Sequence, residues 1–232
     1  MIERRPFEDL PGEDLGWLKA RRHFSPAAPA DPARSGCGCM HVWNDEEIAP
    51  NTGFALQVHS NTEIIIYVRE GAVSHRDSLG NEGRIEAGSI QVVSAGTGIG
   101  HAEYNLEQAP ARIFQMWITP VSSGGSPAWA VQPCPVAGGS GCFVAIASGM
   151  DGDCDALPIR AAARLLKARM KVGESIDYVL REPRRAYLVP SSGTVEVNGV
   201  RIHARDGAAI KDVEVVTVTA IDDADVVMVD VL

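Results

Sequence analysis

Short apolar runs, β-branched or alternating with polar residues and bounded by glycine, fill most of this chain. Glu63-Ile-Ile-Ile-Tyr-Val68 is compact and β-branched, and Gly71 ends it. Ala72-Val-Ser-His-Arg-Asp77 follows, then Ser78-Leu-Gly-Asn81 supplies the side chains and the glycine that a tight turn needs. Ser89-Ile-Gln-Val-Val93 and Arg112-Ile-Phe-Gln-Met-Trp-Ile118 continue the series. Strands at spacings of roughly 8–12 residues, punctuated by turns, predict an all-β sandwich or barrel. Helical pattern is thin. Asp9 to Leu18 is one candidate, and Ala161 to Leu166 is another that reads equally well as a strand.

The theme recurs in the second half. Tyr67, Gly71-Ala-Val73 and Glu86-Ala-Gly88-Ser-Ile90 find counterparts in Tyr187, Gly193-Thr-Val195 and Arg205-Asp-Gly207-Ala-Ala-Ile210. The same order of aromatic, glycine turn, strand and second glycine turn argues for an internal duplication. We expect a first barrel over residues 1–120, a linker or crossover over 121–140, and a second barrel over 141–232. The glycine-, serine- and proline-rich stretches from Pro120 to Pro127 and Val136 to Gly141 mark the join.

Composition narrows the function. Hydrophobic residues make up 45% and charged residues 22% of the 232, as in ordinary globular proteins. A formal net charge of -9 repels phosphate backbones, so direct nucleic-acid binding is not expected; a protein partner is left open. No segment has the length of a membrane-spanning helix, and the charged N-terminus lacks an apolar signal region. Five cysteines without paired Cys-x-x-Cys clips fit reduced thiols rather than a zinc site. A cytoplasmic protein is the expectation.

The chemistry concentrates in the first half. His101-Ala-Glu103 places an imidazole and a carboxylate two residues apart, on one side of an extended segment. His59 closes another strand-like run, Phe54-Ala-Leu-Gln-Val-His59. If both strands line one barrel, the three side chains converge into the facial His, His, carboxylate set that leaves a metal open to substrate and oxygen. Gly96, Gly98 and Gly100 let the backbone turn sharply before His101; with no lysine or helix following, a phosphate loop is a weak reading. Glu63 shares the strand parity of His59 and is a candidate to support the ligands. His75 reads as a surface or strand-edge residue, and His203 as structural. His23 and His41 read as packing or pocket-rim residues without chemistry.

Two tandem barrels with this constellation resemble the cupin superfamily, and more closely its pirin family of bicupins, which includes bacterial pirin-like quercetinases. The resemblance rests on Gly16-Trp-Leu18, His23-Phe-Ser25, Val42-Trp-Asn-Asp45, Glu70-Gly71, His75-Arg-Asp-Ser-Leu-Gly-Asn81, Ser94-Ala-Gly-Thr-Gly-Ile99, Glu103-Tyr-Asn105 and Gln115-Met-Trp-Ile118. In the second half Val197-Asn-Gly-Val200 and Asp206-Gly-Ala-Ala-Ile210 also fit. The resemblance implies two jelly-roll barrels with one metal in the first, held by three histidines and a glutamate. Those positions fall on His59, His101 and Glu103, with Gln57 standing where the family has its first histidine. One divalent transition metal is implied, iron first and nickel, manganese, copper or zinc behind it. The carboxamide at Gln57 is a weaker donor and allows an empty site. The implied activity is a dioxygenase opening the ring of a small, flavonol-like aromatic, with Glu103 as both ligand and proton acceptor. The alternative is a regulatory or binding protein acting through a protein partner.

Overall fold

A computed structural model describes residues 1–26, 35–135 and 141–232. The described residues form two barrels, each a seven-stranded sheet closed by a four-stranded one. The first large sheet runs, in spatial order, Ala128–Pro133, Ser89–Ser94, Glu63–Glu70, Ala111–Ile118, Met40–Ile48, Leu18–Phe24 and Gly12–Asp14. Its small sheet runs Thr52–His59, Ile99–Asn105, Ala72–Asp77 and Glu82–Glu86. The second barrel repeats the plan, with Gly207–Ile210, Arg185–Ser192, Ala224–Val231 and Ala163–Met170 at the centre of its large sheet. Pairing is antiparallel throughout, apart from Val144–Ser148 against Leu157–Pro158. Both halves are all-β barrels, as the alternation and the duplicated order of turns lead one to expect, and their doubled-sheet plan is the jelly roll that the resemblance implies.

Neither helical candidate forms an α-helix. Phe7–Asp9 makes one 3-10 turn, and Pro11 and Gly16, the latter at φ 81, divide the next stretch into the strands Gly12–Asp14 and Leu18–Phe24. Ala161 to Leu166 runs into the strand Ala163–Met170, whose near-continuous burial reflects a central strand covered on both faces. No helix among the described residues is long and apolar enough to cross a membrane.

Two strands lie across the expected division of the chain. Ile2–Arg5 pairs with Gly207–Ile210 in the second barrel, anchored by Arg4 on Asp206 at 2.8 Å. Ala128–Pro133, within the expected linker, pairs with Ser89–Ser94 in the first barrel. Each caps an edge that would otherwise expose unpaired backbone groups. Residues 136–140 of that linker lie outside the described residues.

The outer faces of the two large sheets pack on each other. Trp43, Phe114 and Tyr67 from the first meet Tyr187, Val189 and Val229 from the second in one buried cluster. Trp43 lies 5.7 Å from Phe114 and 5.5 Å from Tyr187, both edge-on. Truncating such a side chain costs about 3–5 kcal/mol. Asp45, buried at this junction, is satisfied by Arg69 and by a two-point pair with Arg205 at 2.7 and 3.0 Å. His23 takes its place here, its Nδ1 2.9 Å from the Tyr187 hydroxyl.

The two interiors differ in kind. Leu166, Ile176, Leu188, Val218 and Met228 fill the second with hydrocarbon. In the first, Ile48, Ile66, Val73 and Ile113 form one apolar cluster, and Ile64, Val93 and Ile99 a smaller one. Polar side chains are also buried in this half: His75, Gln91, His101 and Glu103 among them.

Candidate metal centre

The strand Ile99–Asn105 delivers the central residues. It lies between Thr52–His59 and Ala72–Asp77, so its side chains have neighbours on both flanks. His101 stands opposite Gln57 on one side and Asp77 on the other; Glu103 stands opposite Phe54 and His75. The ladder to Thr52–His59 is irregular between His101 and Glu103, the kind of break that re-aims a side chain. The turn before this strand needs glycine. Gly96 sits at φ 50, and a Cβ there would fall 2.3 Å from the Gly125 carbonyl oxygen.

His75, His101 and Glu103, all buried, can each offer one donor atom with the three atoms within 4.8 Å of one another. His101 Nδ1 is 3.2 Å and His75 Nδ1 3.9 Å from Glu103 Oε1. His59 lies beside the group, its ring 5.2 Å from that of His101 and 5.0 Å from Trp117. Around these lies a fixed frame. Gln91 Nε2 donates to Glu103 Oε1 at 2.7 Å, and Trp129 Nε1 donates to Gln91 Oε1 at 2.9 Å. The Trp129 ring stacks on His75 with an interplanar angle of 8°. His75 Nε2 lies 3.3 Å from Asp77 Oδ2, and Asp77 accepts from the Leu79 and Asn81 backbone and from Asn81 Nδ2.

A metal ion fits this donor set. His59 Nε2, His75 Nδ1 and both nitrogens of His101 are buried without a hydrogen-bond partner among the described residues. Such orphans are rare because each forfeits its hydration. Burial pushes the Glu103 carboxyl up, but His101 and His75 outweigh it and bring the group down to about 2. A buried carboxylate therefore faces several imidazole lone pairs. For His59, burial lowers the pKa, and neighbouring His101 lowers it further against the pull of Glu103, favouring the neutral, ligating form.

His101 and Glu103 thus lie in one group with His75, and the His59 ring adjoins that of His101. Gln57 is across from His101 but exposed, at the open edge of the small sheet. The surface reading of His75 is overturned: it is 3% exposed, because it shares the parity of the core residue Val73. That parity was visible in the sequence; the adjoining turn concealed it. Glu63 does not support the group, since Ser94 Oγ donates to it and Arg160 is its charged neighbour. Gln91 and Trp129 had no sequence signal, because their partners are side chains on other strands.

The comparisons with known proteins agree with this architecture. The family described as Pirin matches residues 4–118, and the one described as Quercetinase C-terminal cupin domain matches residues 145–231. A pirin-like protein of Caulobacter vibrioides is 57% identical over 230 residues, 99% of each chain. The quercetin 2,3-dioxygenase of Escherichia coli K12 is 34% identical, over 99% of this chain and 98% of that one. The crystal structure of the bacterial pirin YhhW from Escherichia coli in complex with nickel(II) superposes with a TM-score of 0.92 at 31% identity, covering 100% of this chain and 99% of the other. With both barrels matched along almost their whole length, the chain belongs to the pirin family.

Proposed function

We propose that this chain is a metal-dependent dioxygenase that opens the ring of a flavonol-like substrate. The observation that carries the reading is the buried Glu103 carboxylate beside imidazole nitrogens that lack partners. His59, His101 and Glu103 are the ligands on this reading, and the ion is a divalent transition metal, iron or nickel. Gln57 stands at the open side. His75 works from behind Glu103: Asp77 holds its Nε2, and its Nδ1 faces the carboxylate, as residues behind metal ligands commonly do. When bound, the ion would polarise a coordinated substrate hydroxyl and lower its pKa.

Glu103 is the group that accepts that proton, since its carboxylate lies within the donor cluster. Gln91, braced by Trp129, keeps one carboxylate oxygen in place. Ile64, Val93 and Ile99, with Trp117 and Trp129 packed on them, form a dry wall beside the group. The free thiols of Cys37, Cys39, Cys134 and Cys154 are consistent with a reducing, cytoplasmic setting.

Elemental analysis of untagged protein, then oxygen uptake with quercetin before and after loading iron or nickel, tests the reading. Oxygen consumption that Glu103→Ala abolishes supports it. Metal-replete protein that consumes no oxygen with any flavonol overturns it. Gln57 favours a second reading: a binding or regulatory protein that acts through a protein partner with a weak metal site. Failure to retain any of iron, nickel, manganese, copper or zinc would favour that one.

A further inference from the structure

The inward face of the first large sheet carries a mostly polar row that ends at Gln91, the residue that donates to Glu103. Arg22 is opposite Asn44, Asn44 opposite Gln115, Gln115 opposite Ile66, and Ile66 opposite Gln91. Residues opposed across a ladder project to one face, and Gln91 reaches Glu103 from that face. Glu46, two residues beyond Asn44, shares it; its ladder partners Ile113 and Ala20 belong to the interior cluster of this barrel.

Asn44 and Glu46 are incompletely satisfied. Asn44 Nδ2 donates to Glu46 Oε1 at 3.0 Å, but Asn44 Oδ1 and Glu46 Oε2 are buried without partners among the described residues. Glu46 is 3% exposed, and Asn44 as a residue is half-buried. Asp45 between them, on the opposite face, has both oxygens paired with arginine. The fold does not need this polarity. In the second barrel Met170 opposes Ala224 where Ile48 opposes Ala111 here. Counting back from those pairs, Leu166, Ala168 and Met228 stand where Asn44, Glu46 and Gln115 stand, and all three are buried core residues.

Building on the dioxygenase reading, we propose that Asn44 and Glu46 form a second recognition point of the same site, binding an adjacent pair of hydroxyls on the substrate ring remote from the metal. One amide oxygen and one carboxyl oxygen, on side chains joined by a hydrogen bond, match a vicinal diol, which can donate to the first and engage the second. Burial first, and Glu103 second, raise the Glu46 carboxyl to about 8 against the pull of Asn44 and Arg22. It therefore offers a proton to the ligand at neutral pH, and the selected substrates are flavonols with a catechol ring.

The test measures fluorescence-quenching affinities of metal-loaded protein for quercetin and for the flavonol whose pendant ring has no hydroxyls. Wild type is compared with Asn44→Leu, Glu46→Ala and the double variant, which copy Leu166 and Ala168, and with Glu46→Gln. The expected result is a loss of about tenfold or more for quercetin in the double variant, with little change for the unsubstituted flavonol and unchanged metal content. Glu46→Gln, which keeps a neutral donor, retains the preference. If wild type binds both flavonols and the variants weaken neither, or both equally, this proposal falls and the dioxygenase reading stands. If metal-loaded wild type binds no flavonol, both fall. Should the double variant not fold, Asn44→Leu alone decides by the same ratio.

Discussion

Glu46→Gln should change how the stability of the metal-free protein depends on pH. In the unfolded chain this carboxyl ionises at the ordinary value of 4.5; burial and the nearby Glu103 raise it to about 8 in the fold. Below 4.5 the group is protonated in both states and costs nothing. As pH rises, the unfolded chain loses its proton first while the folded one retains it, so stability drains away until about 8 and then levels. At about 1.4 kcal/mol per pH unit, the ceiling is about 5 kcal/mol, of which about 3–4 kcal/mol falls between pH 5 and pH 8. Glu103 has the opposite sign: its low folded value, about 2, gives stability that is lost as pH falls from 4.5. That window lies below the one measured, and both proteins share it. Urea unfolding of chelator-treated wild type and Glu46→Gln at pH 5, 6, 7 and 8 gives the difference directly. Glutamine cannot ionise, so the variant should gain on wild type by about 3 kcal/mol from pH 5 to pH 8. A difference that stays constant across this range would mean that Glu46 is already charged in the fold, and would refute the argument.

Other residues give sharper structural tests. His101→Ala should lose the metal and the stabilisation that metal confers, about 2.7 kcal/mol on wild type at a hundredfold excess over Kd; a retained thermal shift would exclude His101 as a ligand. His75→Ala should weaken metal binding by about 10–100-fold without abolishing it, by isothermal titration; complete loss, with His59→Ala unaffected, would exchange the roles of the two histidines. Gln57→His should tighten binding by about tenfold or more, since imidazole is the better donor for these metals; no change would show that position 57 does not reach the ion. Gly207→Ala would put a Cβ 1.8 Å from the Tyr187 hydroxyl and 3.0 Å from His23 Nδ1, so urea unfolding should show a loss of about 1–3 kcal/mol. Equal stability would mean that the junction between the barrels yields freely.

By itself the sequence determined what is local. Alternation and glycine spacing are properties of a few consecutive residues, so the strands, their turns and the shared side of His101 and Glu103 could be read from them. The repeated order of turns likewise revealed two barrels. Register and sheet membership are not local. Residues 2–5 belong to the second barrel because Gly207–Ile210 offers an edge about two hundred positions away, and nothing near residue 2 encodes that edge. His75 joined the site for the same reason: its company is Trp129, Glu103 and His101, each supplied by another strand. The Asn44, Gln115 and Gln91 row exists only once three ladders are aligned. Tertiary structure decided these points because the free energy that selects a register comes from burying whole faces together, which no short window of sequence contains.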